Sequence, residues 1–272
     1  MQDVLQTSVL EMHNVKGGDI GHSLYVKTAD ARYFVKYRLD LPGQVYEREA
    51  EGLRTLGAVG SLAVPNIYYA GDILGAGGGM IVLEWIDAIP VNKLSEEQLG
   101  TGLAAIHRTG SANGHYGFAS DNNIGELLQQ NGWRERWVDF YRERRLMPMM
   151  QTASRRGLLT GARQHKLLKL IDHLERFIPD TGQPGLLHGD LWSGNWLPSA
   201  GGKPYLIDPA VFYGEREVEM AFTELFGGFS ARFFEAYRSS YPLEPDYVDR
   251  RPLYQLYYLL VHLIHFGEAY GP

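Results

Sequence analysis

The chain has 272 residues, of which 44% are hydrophobic and 21% are charged, a composition typical of globular proteins and unlike that of disordered or fibrous chains. This length allows one large core or two smaller ones, so we expect two lobes. The net charge of −6 and the pI near 5.9 argue against a surface that neutralises nucleic-acid phosphates. The absence of cysteine excludes disulfides, zinc–cysteine sites and thiol nucleophiles.

Neither a secretory signal nor a membrane span is predicted. The first residues, MQDVLQTSVLEMH, lack the basic start and the unbroken apolar run of a secretory signal. The longest apolar stretch, residues 253–266, is interrupted by polar residues and is too short to span a bilayer. We therefore expect a cytoplasmic protein with neither a membrane nor a nucleic-acid partner.

The N-terminal part of the chain is predicted to form a small β-rich lobe with one helix. Residues 24–37 alternate in polarity around a short turn, which is typical of a β-hairpin. The next apolar residues recur at helical spacing and stop at Gly57, which predicts a helix with a glycine at its C-terminal cap. Two further strands, at residues 66–74 and 80–86, are expected on either side of a glycine-rich turn.

The remainder of the chain is predicted to be mainly helical. Apolar residues recur at helical spacing in the segments 96–107, 133–150, 162–177, 218–237 and 253–266. Between these helices, only residues 185–208 favour short strands. The predicted fold class is therefore α+β, with a small N-terminal lobe of residues 1–88 and a larger, mainly helical lobe of residues 89–272.

The most informative motif is HGDLWSGN at residues 188–195, which is followed by Asp208 thirteen residues later. Its form, H-x-D-x-x-x-x-N with a later Asp, is the layout of a kinase catalytic loop and a metal-binding Asp. Phosphoryl transfer requires a carboxylate near the attacking hydroxyl and oxygen ligands for Mg²⁺. We expect Asp190 to hold the hydroxyl, and Asn195 and Asp208 to bind the metal. The alternative is that all three are turn residues, a common role of Asp and Asn near Gly and Pro.

Two residues nearer the N-terminus supply further parts of a kinase site in the expected order. Lys36, at the end of the second strand, is predicted to bind the α and β phosphates of ATP, and Glu49 is predicted to anchor it from the following helix. A solvated lysine and a surface acid are the alternatives. Glu49 shares the inward face of the helix with apolar residues, which favours it over the neighbouring acids Glu47 and Glu51.

With these motifs the sequence resembles the fructosamine kinases, also called ketosamine kinases, of the aminoglycoside-phosphotransferase-like branch of the protein-kinase-like fold. The Trp-Ser-Gly-Asn continuation of the motif at residues 192–195 and the Asp-Pro-Ala at residues 208–210 look specific to this family. The resemblance covers nearly the whole chain, through GGDI (17–20), FVK (34–36), EA (49–50), the segment 130–133, LFGG (225–228) and LYQLY (253–257).

The resemblance implies a two-lobed protein-kinase-like fold and ATP-dependent phosphorylation, with Mg²⁺, of a sugar hydroxyl in a fructosamine or ribulosamine, typically the 3-hydroxyl. Because the product is unstable, the family is associated with the removal of sugars from glycated amines. The expected partners are small-molecule ketosamines and glycated amines or proteins. By position, Asp190 would be the catalytic base, and Asn195 and Asp208 the metal ligands.

The resemblance also implies which residues contact the nucleotide. Gly18, Asp19 and Ile20 belong to a glycine-bearing loop that would cover the phosphates, although residues 17–23 match neither the Walker A pattern nor a full G-x-G-x-x-G. Glu84 and Ile86 match the hinge between the lobes, whose backbone would meet adenine.

Several aromatic and polar residues remain open between a substrate role and core packing. Trp192 is a candidate wall for the sugar, since an aromatic face can cover a sugar ring; Asn131 and Trp133 are candidates of the same kind. His262 and His265 are a possible metal pair, but packing is favoured because no acid lies near them on that helix.

Two other functions use the same residues. An aminoglycoside, choline or homoserine kinase would also use Asp190, Asn195 and Asp208, and differs only in its acceptor. A non-catalytic nucleotide-binding protein of this fold would be expected to lack one of these residues or Lys36, and all four are present. A protein kinase is disfavoured because Pro-Ala and not Phe-Gly follows Asp208.

Overall fold

The computed structural model describes residues 2–15, 21–73, 75, 77–179 and 182–271. Its N-terminal lobe contains the helices α1 (Gln2–Leu5) and α2 (Gly43–Val59), and the strands β1 (Glu11–Asn14), β2 (His22–Lys27), β3 (Arg32–Arg38), β4 (Ile67–Asp72) and β5 (Gly79–Glu84). These strands form one antiparallel sheet in the order β1-β2-β3-β5-β4. The predicted hairpin is β2–β3, and the two further predicted strands are β4 and β5.

The two faces of this sheet have different roles. On one face, Val26, Val35 and Val82 form a small apolar core. On the other face, Ile81 and Leu83 of β5 pack against the buried face of α2. Since side chains alternate along a strand, Lys36 of β3 lies on the opposite face from Val35. Helix α2 and the lysine therefore share one side of the sheet.

Helix α2 ends three residues later than predicted. Its C-terminal cap is Gly60, which adopts φ 77°, and the Gly60 N–H donates to the Gly57 carbonyl. The prediction of a cap at Gly57 was wrong because that glycine serves packing: a Cβ at position 57 would lie 2.7 Å from Val64 Cγ2. The helix continues through Gly57 to the residue that takes the left-handed conformation.

The second lobe is mainly helical, as predicted. Its helices are α3 (Lys93–His107), α4 (Trp137–Phe140), which continues as a π-helix (Tyr141–Leu146) and α5 (Met147–Arg155), then α6 (Gly161–Ile171), α7 (Arg216–Leu225), α8 (Ala231–Ser240) and α9 (Tyr247–Phe266). Short 3₁₀ turns cover Leu174–Arg176, Ala200–Gly202 and Gly267–Tyr270. One large apolar core joins these helices. No described helix is long and apolar enough to cross a membrane.

Short antiparallel strands carry the segments between the helices. The pairs are β6 (Asn122–Ile124) with β7 (Leu127–Gln129), β8 (Gly185–Leu187) with β11 (Phe212–Gly214), and β9 (Trp196–Pro198) with β10 (Pro204–Leu206). The strands β8 to β10 lie where short strands were predicted, and β6–β7 was not predicted. The architecture is the predicted α+β, two-lobed, protein-kinase-like fold.

The prediction of one helix over residues 218–237 was wrong, because the chain breaks between α7 and α8. Gly227 and Gly228 adopt φ 72° and 92° in this break. A Cβ at Gly228 would lie 2.5 Å from Ser193 Cβ, so the break passes directly along the HGDLWSGN loop. A continuous helix would not allow this approach.

Helices α7 and α9 are joined by a buried ion pair that generates a stability prediction. Arg250 donates two hydrogen bonds of 2.8 Å to the Glu217 carboxylate, and the side chains are 9% and 2% exposed. We expect Glu217→Ala to lower the free energy of unfolding by about 3–5 kcal/mol, because it leaves a buried guanidinium without its partner. Urea denaturation measures this change.

The matched control is Glu143→Ala, which removes the partner of Arg134 from an ion pair whose side chains are 32% and 47% exposed. Its expected cost is below about 1 kcal/mol. Equal costs in the two variants would contradict the proposed importance of burial.

Candidate active site

A cleft of about 1230 Å³ lies between the two lobes. Its walls come from β3, α2, the segment after β5, the β6–β7 hairpin, the HGDLWSGN loop, residues 207–209 and α9. The predicted site residues that line it are Lys36, Glu49, Glu84, Ile86, Asp190, Trp192, Asn195 and Asp208. Residues far apart in the sequence are thus brought together in one cavity.

Lys36 is shared by two carboxylates in this cleft. Its Nζ donates to Glu49 Oε2 at 3.1 Å and to Asp208 Oδ1 at 2.8 Å. Pairing with Glu49 was predicted and is confirmed, whereas Glu51 accepts a hydrogen bond from Ser120. Burial acts to lower the pKa of Lys36, but the charges of Asp208 and Glu49 outweigh burial and raise that pKa. The lysine is therefore a fixed cation.

The two carboxylates around this cation differ. Burial raises the pKa of Glu49 to about 7, and its Oε1 has no hydrogen-bond partner among the described residues. For Asp208, burial opposes ionisation, but the charge of Lys36 outweighs it and lowers the pKa. Asp208 also adopts φ 51°, a conformation that costs a non-glycine residue energy and is common at functional sites.

Asp190 and Asn195 lie on the same loop and contact each other. Asn195 Nδ2 donates to the Asp190 carbonyl at 2.8 Å and to Asp190 Oδ2 at 3.2 Å, so Oδ1 is the side-chain acceptor that remains on the amide. Burial, together with the charge of Asp208, raises the pKa of Asp190 well above its usual range. A carboxylate in this environment is a stronger proton acceptor than one in water.

His188 braces this loop and does not reach into the cleft. Its Nε2 donates to the Ile207 carbonyl at 2.9 Å, and its Nδ1 accepts a hydrogen bond from the Asp190 N–H at 3.3 Å. Burial lowers the pKa of His188, which agrees with a neutral ring that donates through one nitrogen and accepts through the other. The ring thereby ties the loop to the segment before Asp208.

Glu219 of α7 fixes the backbone of the same loop. Its fully buried carboxylate accepts hydrogen bonds from the N–H groups of His188 at 3.0 Å and Gly189 at 2.6 Å. His107 Nε2 donates to it at 2.9 Å, and His107 Nδ1 lies 2.7 Å from the Tyr237 hydroxyl. Burial opposes ionisation of Glu219, but the hydrogen bond from His107 and other favourable contacts lower its pKa. A buried anion thus holds the loop in place.

One end of the cleft is aromatic. Trp192 is half-buried there, and its ring lies over Gly194, where any side chain would displace it. Phe226, His262, Phe266 and Tyr270 form a further group of contacting rings, with 4.4 Å between the ring centroids of Phe226 and His262. This group was not predicted, although the four-residue spacing of His262 and Phe266 in α9 could have indicated it.

The tip of the β6–β7 hairpin closes another side of the cleft and was also missed. Glu126 forms an ion pair with Arg38, which follows Lys36 by two residues on the same face of β3. The Glu126 N–H donates to His265 Nε2 at 3.2 Å. Within the described residues, no group of three or more His, Asp or Glu could hold a metal ion.

The structure does not bring Asn131 and Trp133 to the cleft. Asn131 is 0% exposed; its Oδ1 accepts from Arg145 at 2.8 Å and its Nδ2 donates to the Ser120 carbonyl at 3.1 Å. Trp133 stacks on Tyr213 with 6.2 Å between ring centroids. Asn131 is thus buried and Trp133 half-buried in the C-terminal lobe, and neither lines the cleft.

The predicted phosphate loop cannot be placed in the same way. Gly18, Asp19 and Ile20 lie outside the described residues. The described chain resumes at Gly21, directly before β2.

The charges in the cleft suit a metal ion that is shared with phosphate groups. Among the described residues that line the cleft, the carboxylates of Glu49 and Asp208 pair with Lys36, and the carboxylate of Asp190 lies in the same cavity. The carboxylate of Asp208 and the free amide oxygen of Asn195 are hard oxygen donors, which Mg²⁺ prefers, and Mg²⁺ sites are commonly completed by substrate phosphates and water. The residues present therefore fit Mg²⁺.

Comparison with known sequences identifies relatives over the full length. A family model described as Fructosamine kinase matches residues 1–272. A protein from Lactiplantibacillus plantarum named "Probable ketoamine kinase" is 38% identical over 269 residues, which cover 98% of this chain and 92% of that protein. A chloroplastic protein-ribulosamine 3-kinase from Arabidopsis thaliana is 34% identical over 265 residues, which cover 97% of this chain and 80% of that protein.

A solved structure agrees with these sequence matches. The structure of a "putative fructosamine-3-kinase" from Thermobifida fusca YX-ER1 superposes with a TM-score of 0.87 at 32% identity, and the match covers 99% of this chain and 92% of that one. Fold, cleft and full-length sequence similarity lead to one conclusion: the chain belongs to the fructosamine kinase family.

Proposed function

We propose that the protein transfers the γ-phosphoryl group of ATP to a sugar hydroxyl, the 3-hydroxyl, of ketosamines such as fructosamines and ribulosamines. The observation that carries this proposal is the convergence of Lys36, Asp208, Asn195 and Asp190 in one cleft. The names of the relatives support the acceptor class, and family membership makes the protein a phosphotransferase. Small ketosamines and glycated proteins are the proposed substrates, and the cytoplasmic location stays a prediction.

In this proposal the N-terminal lobe, residues 1–88, binds the nucleotide. Lys36 contacts the α and β phosphates, and Glu49 holds its ammonium in position. Glu84 and Ile86 line the cleft, and we assign adenine to their end of it. The Ile86 N–H has no hydrogen-bond partner among the described residues, so it is available to a ring nitrogen of adenine.

The metal-binding role falls to Asn195 and Asp208. Bound Mg²⁺ would offset the negative charge of the phosphates, which favours attack by an oxygen nucleophile. Asp208 is already ionised and held by Lys36, and Asn195 offers its Oδ1 because Nδ2 is engaged with Asp190. Gly18, Asp19 and Ile20, which lie outside the described residues, are the further proposed contacts of the nucleotide.

Asp190 is the proposed catalytic base. It accepts a hydrogen bond from the sugar hydroxyl and takes its proton as the oxygen bonds to the γ-phosphorus and the bond from that phosphorus to ADP breaks. Trp192 would cover a face of the sugar ring next to this carboxylate. Glu219 and His188 keep the loop that bears Asp190 in one conformation.

Ketosamines can be distinguished from the rival acceptors by the stability of their phosphorylated products. A ketosamine has a ketone at C2, so phosphorylation at C3 places a good leaving group next to that carbonyl. Enolisation between C1 and C2 lets phosphate depart from C3, and hydrolysis of the resulting enamine frees the amine. An aminoglycoside has no such ketone and keeps its phosphate.

The test is incubation with Mg²⁺-ATP and ribulosyl-lysine or fructosyl-lysine. We expect consumption of ATP, followed by slower release of unmodified lysine and inorganic phosphate. Kanamycin is the control acceptor and should give neither signal above background. A higher kcat/KM for kanamycin than for every ketosamine would overturn the proposed acceptor, and ATP consumption at background with all of them would overturn the kinase activity.

Asp190→Asn tests the proposed base. We expect kcat to fall by about 10²- to 10⁴-fold, while the affinity for Mg²⁺-ATP stays near that of the wild type, because Asp190 is assigned to the acceptor hydroxyl. Steady-state kinetics and calorimetry measure the two effects. Wild-type turnover in this variant would remove Asp190 from the mechanism.

Asp208→Ala tests the proposed metal ligand. The variant should bind AMP-PNP more weakly than the wild type when Mg²⁺ is present, because a ligand of the ion is lost. In EDTA the two proteins should differ much less. Calorimetry under both conditions gives the comparison, and unchanged affinity with Mg²⁺ would refute the metal role.

A further inference from the structure

The β6–β7 hairpin places two buried amide side chains beneath the segment that follows Asp208. Asn122 Nδ2 donates to the Val211 carbonyl at 2.8 Å, and Gln129 Nε2 donates to the Ala210 carbonyl at 2.9 Å. Gln129 Nε2 also donates to Asn122 Oδ1 at 2.8 Å. The two side chains face each other across the hairpin, since Asn122 and Gln129 are a registered pair.

Gln129 is itself held in orientation by α9. The Tyr257 hydroxyl donates to Gln129 Oε1 at 2.7 Å, and both residues are 0% exposed. Since a hydroxyl proton is directed at Oε1, the Nε2 end of the amide must face the Ala210 carbonyl. Every polar atom of the Gln129 side chain therefore has a partner.

The segment after Asp208 needs such support. Asp208 adopts φ 51°, a conformation that persists only where the surroundings impose it. Its neighbour Pro209 has no N–H to donate, and strand pairing resumes only at Phe212. Between these points Ala210 is held from both sides, because its N–H donates to the His188 carbonyl at 2.9 Å and its carbonyl accepts from Gln129.

We propose that Gln129 and Asn122 are positioning residues that hold Asp208 in its metal-binding conformation by fixing the carbonyls of Ala210 and Val211. Gln129 does not line the cleft and Asn122 lies in its wall, and both act on Asp208 through the backbone two and three residues after it. Partners that orient a metal ligand in this way commonly change metal affinity by about 10- to 100-fold when they are removed. The inference rests on the metal role of Asp208 in the proposed function.

Gln129→Met is the main variant, because it keeps the length of the side chain and removes its hydrogen bonds. We expect its affinity for AMP-PNP with Mg²⁺ to fall by about tenfold or more, with little change in EDTA. The Mg²⁺ concentration for half-maximal rate should rise in parallel, while KM for the ketosamine stays constant. A residue with only a structural role would not produce this dependence on the metal.

Tyr257→Phe is the second variant, and it tests the same positioning role if Gln129→Met does not fold. It removes only the hydroxyl that orients Gln129, and should give a smaller shift in the same direction. Leu128→Ala is the matched control, because Leu128 directly precedes Gln129 in β7 and its side chain is 48% exposed. It should leave both affinities unchanged.

The outcomes separate this inference from the proposed function. Wild-type affinity for Mg²⁺-AMP-PNP in folded Gln129→Met, or in Tyr257→Phe if the first variant is unfolded, overturns the positioning role. Equal loss of affinity with Mg²⁺ and with EDTA also overturns it, because the effect is then general. If Asp208→Ala itself binds Mg²⁺-AMP-PNP normally, the metal role in the proposed function fails.

Discussion

The ammonium of Lys36, which is shared by two carboxylates, sets the relation between the two lobes. Lys36 belongs to the sheet, Glu49 to the helix behind it and Asp208 to the C-terminal lobe, and both carboxylates lie within 3.1 Å of the same Nζ. Removal of Lys36 would leave two largely shielded carboxylates without their cation, which is costly. The sheet, α2 and the segment of Asp208 therefore have one favourable arrangement, and the position of every other group in the cleft is defined relative to it.

Both chemically important segments are irregular, and side chains from distant parts of the chain satisfy their backbone groups. The loop of Asp190 receives Glu219 and Tyr258, whose hydroxyl donates to the Gly189 carbonyl at 3.0 Å. The segment of Asp208 receives Asn122 and Gln129. Since buried N–H and C=O groups must be paired, these side chains take the place of a strand partner. The backbone geometry of the site thus depends on side chains from helices and from a hairpin that lie outside both segments.

Much of this arrangement could be predicted because its signals are local. Helical spacing was enough to predict that Glu49 lies on the inward face of α2. The HGDLWSGN motif and its distance to Asp208 were enough to predict the kinase-like site. The β6–β7 strands are only three residues long, too short for a periodic pattern. The role of Asn131 could not be predicted for another reason: its partner Arg145 is fourteen residues away in the sequence. The sequence alone does not distinguish a buried structural amide from one that binds substrate. Long-range pairing of polar groups is not visible in local patterns.

The close approach of Gly228 to Ser193 limits how a protein of this kind can diversify. Any other residue at position 228 would place its Cβ against Ser193 and would have to adopt φ 92°. Substitution of this glycine is therefore disfavoured, and the backbone path of the HGDLWSGN loop beside it is constrained as well. Phe226 and Phe266, by contrast, are 42% and 51% exposed at the end of the cleft. Exchange of these exposed rings would change the lining of the cleft at that end on a backbone that stays the same.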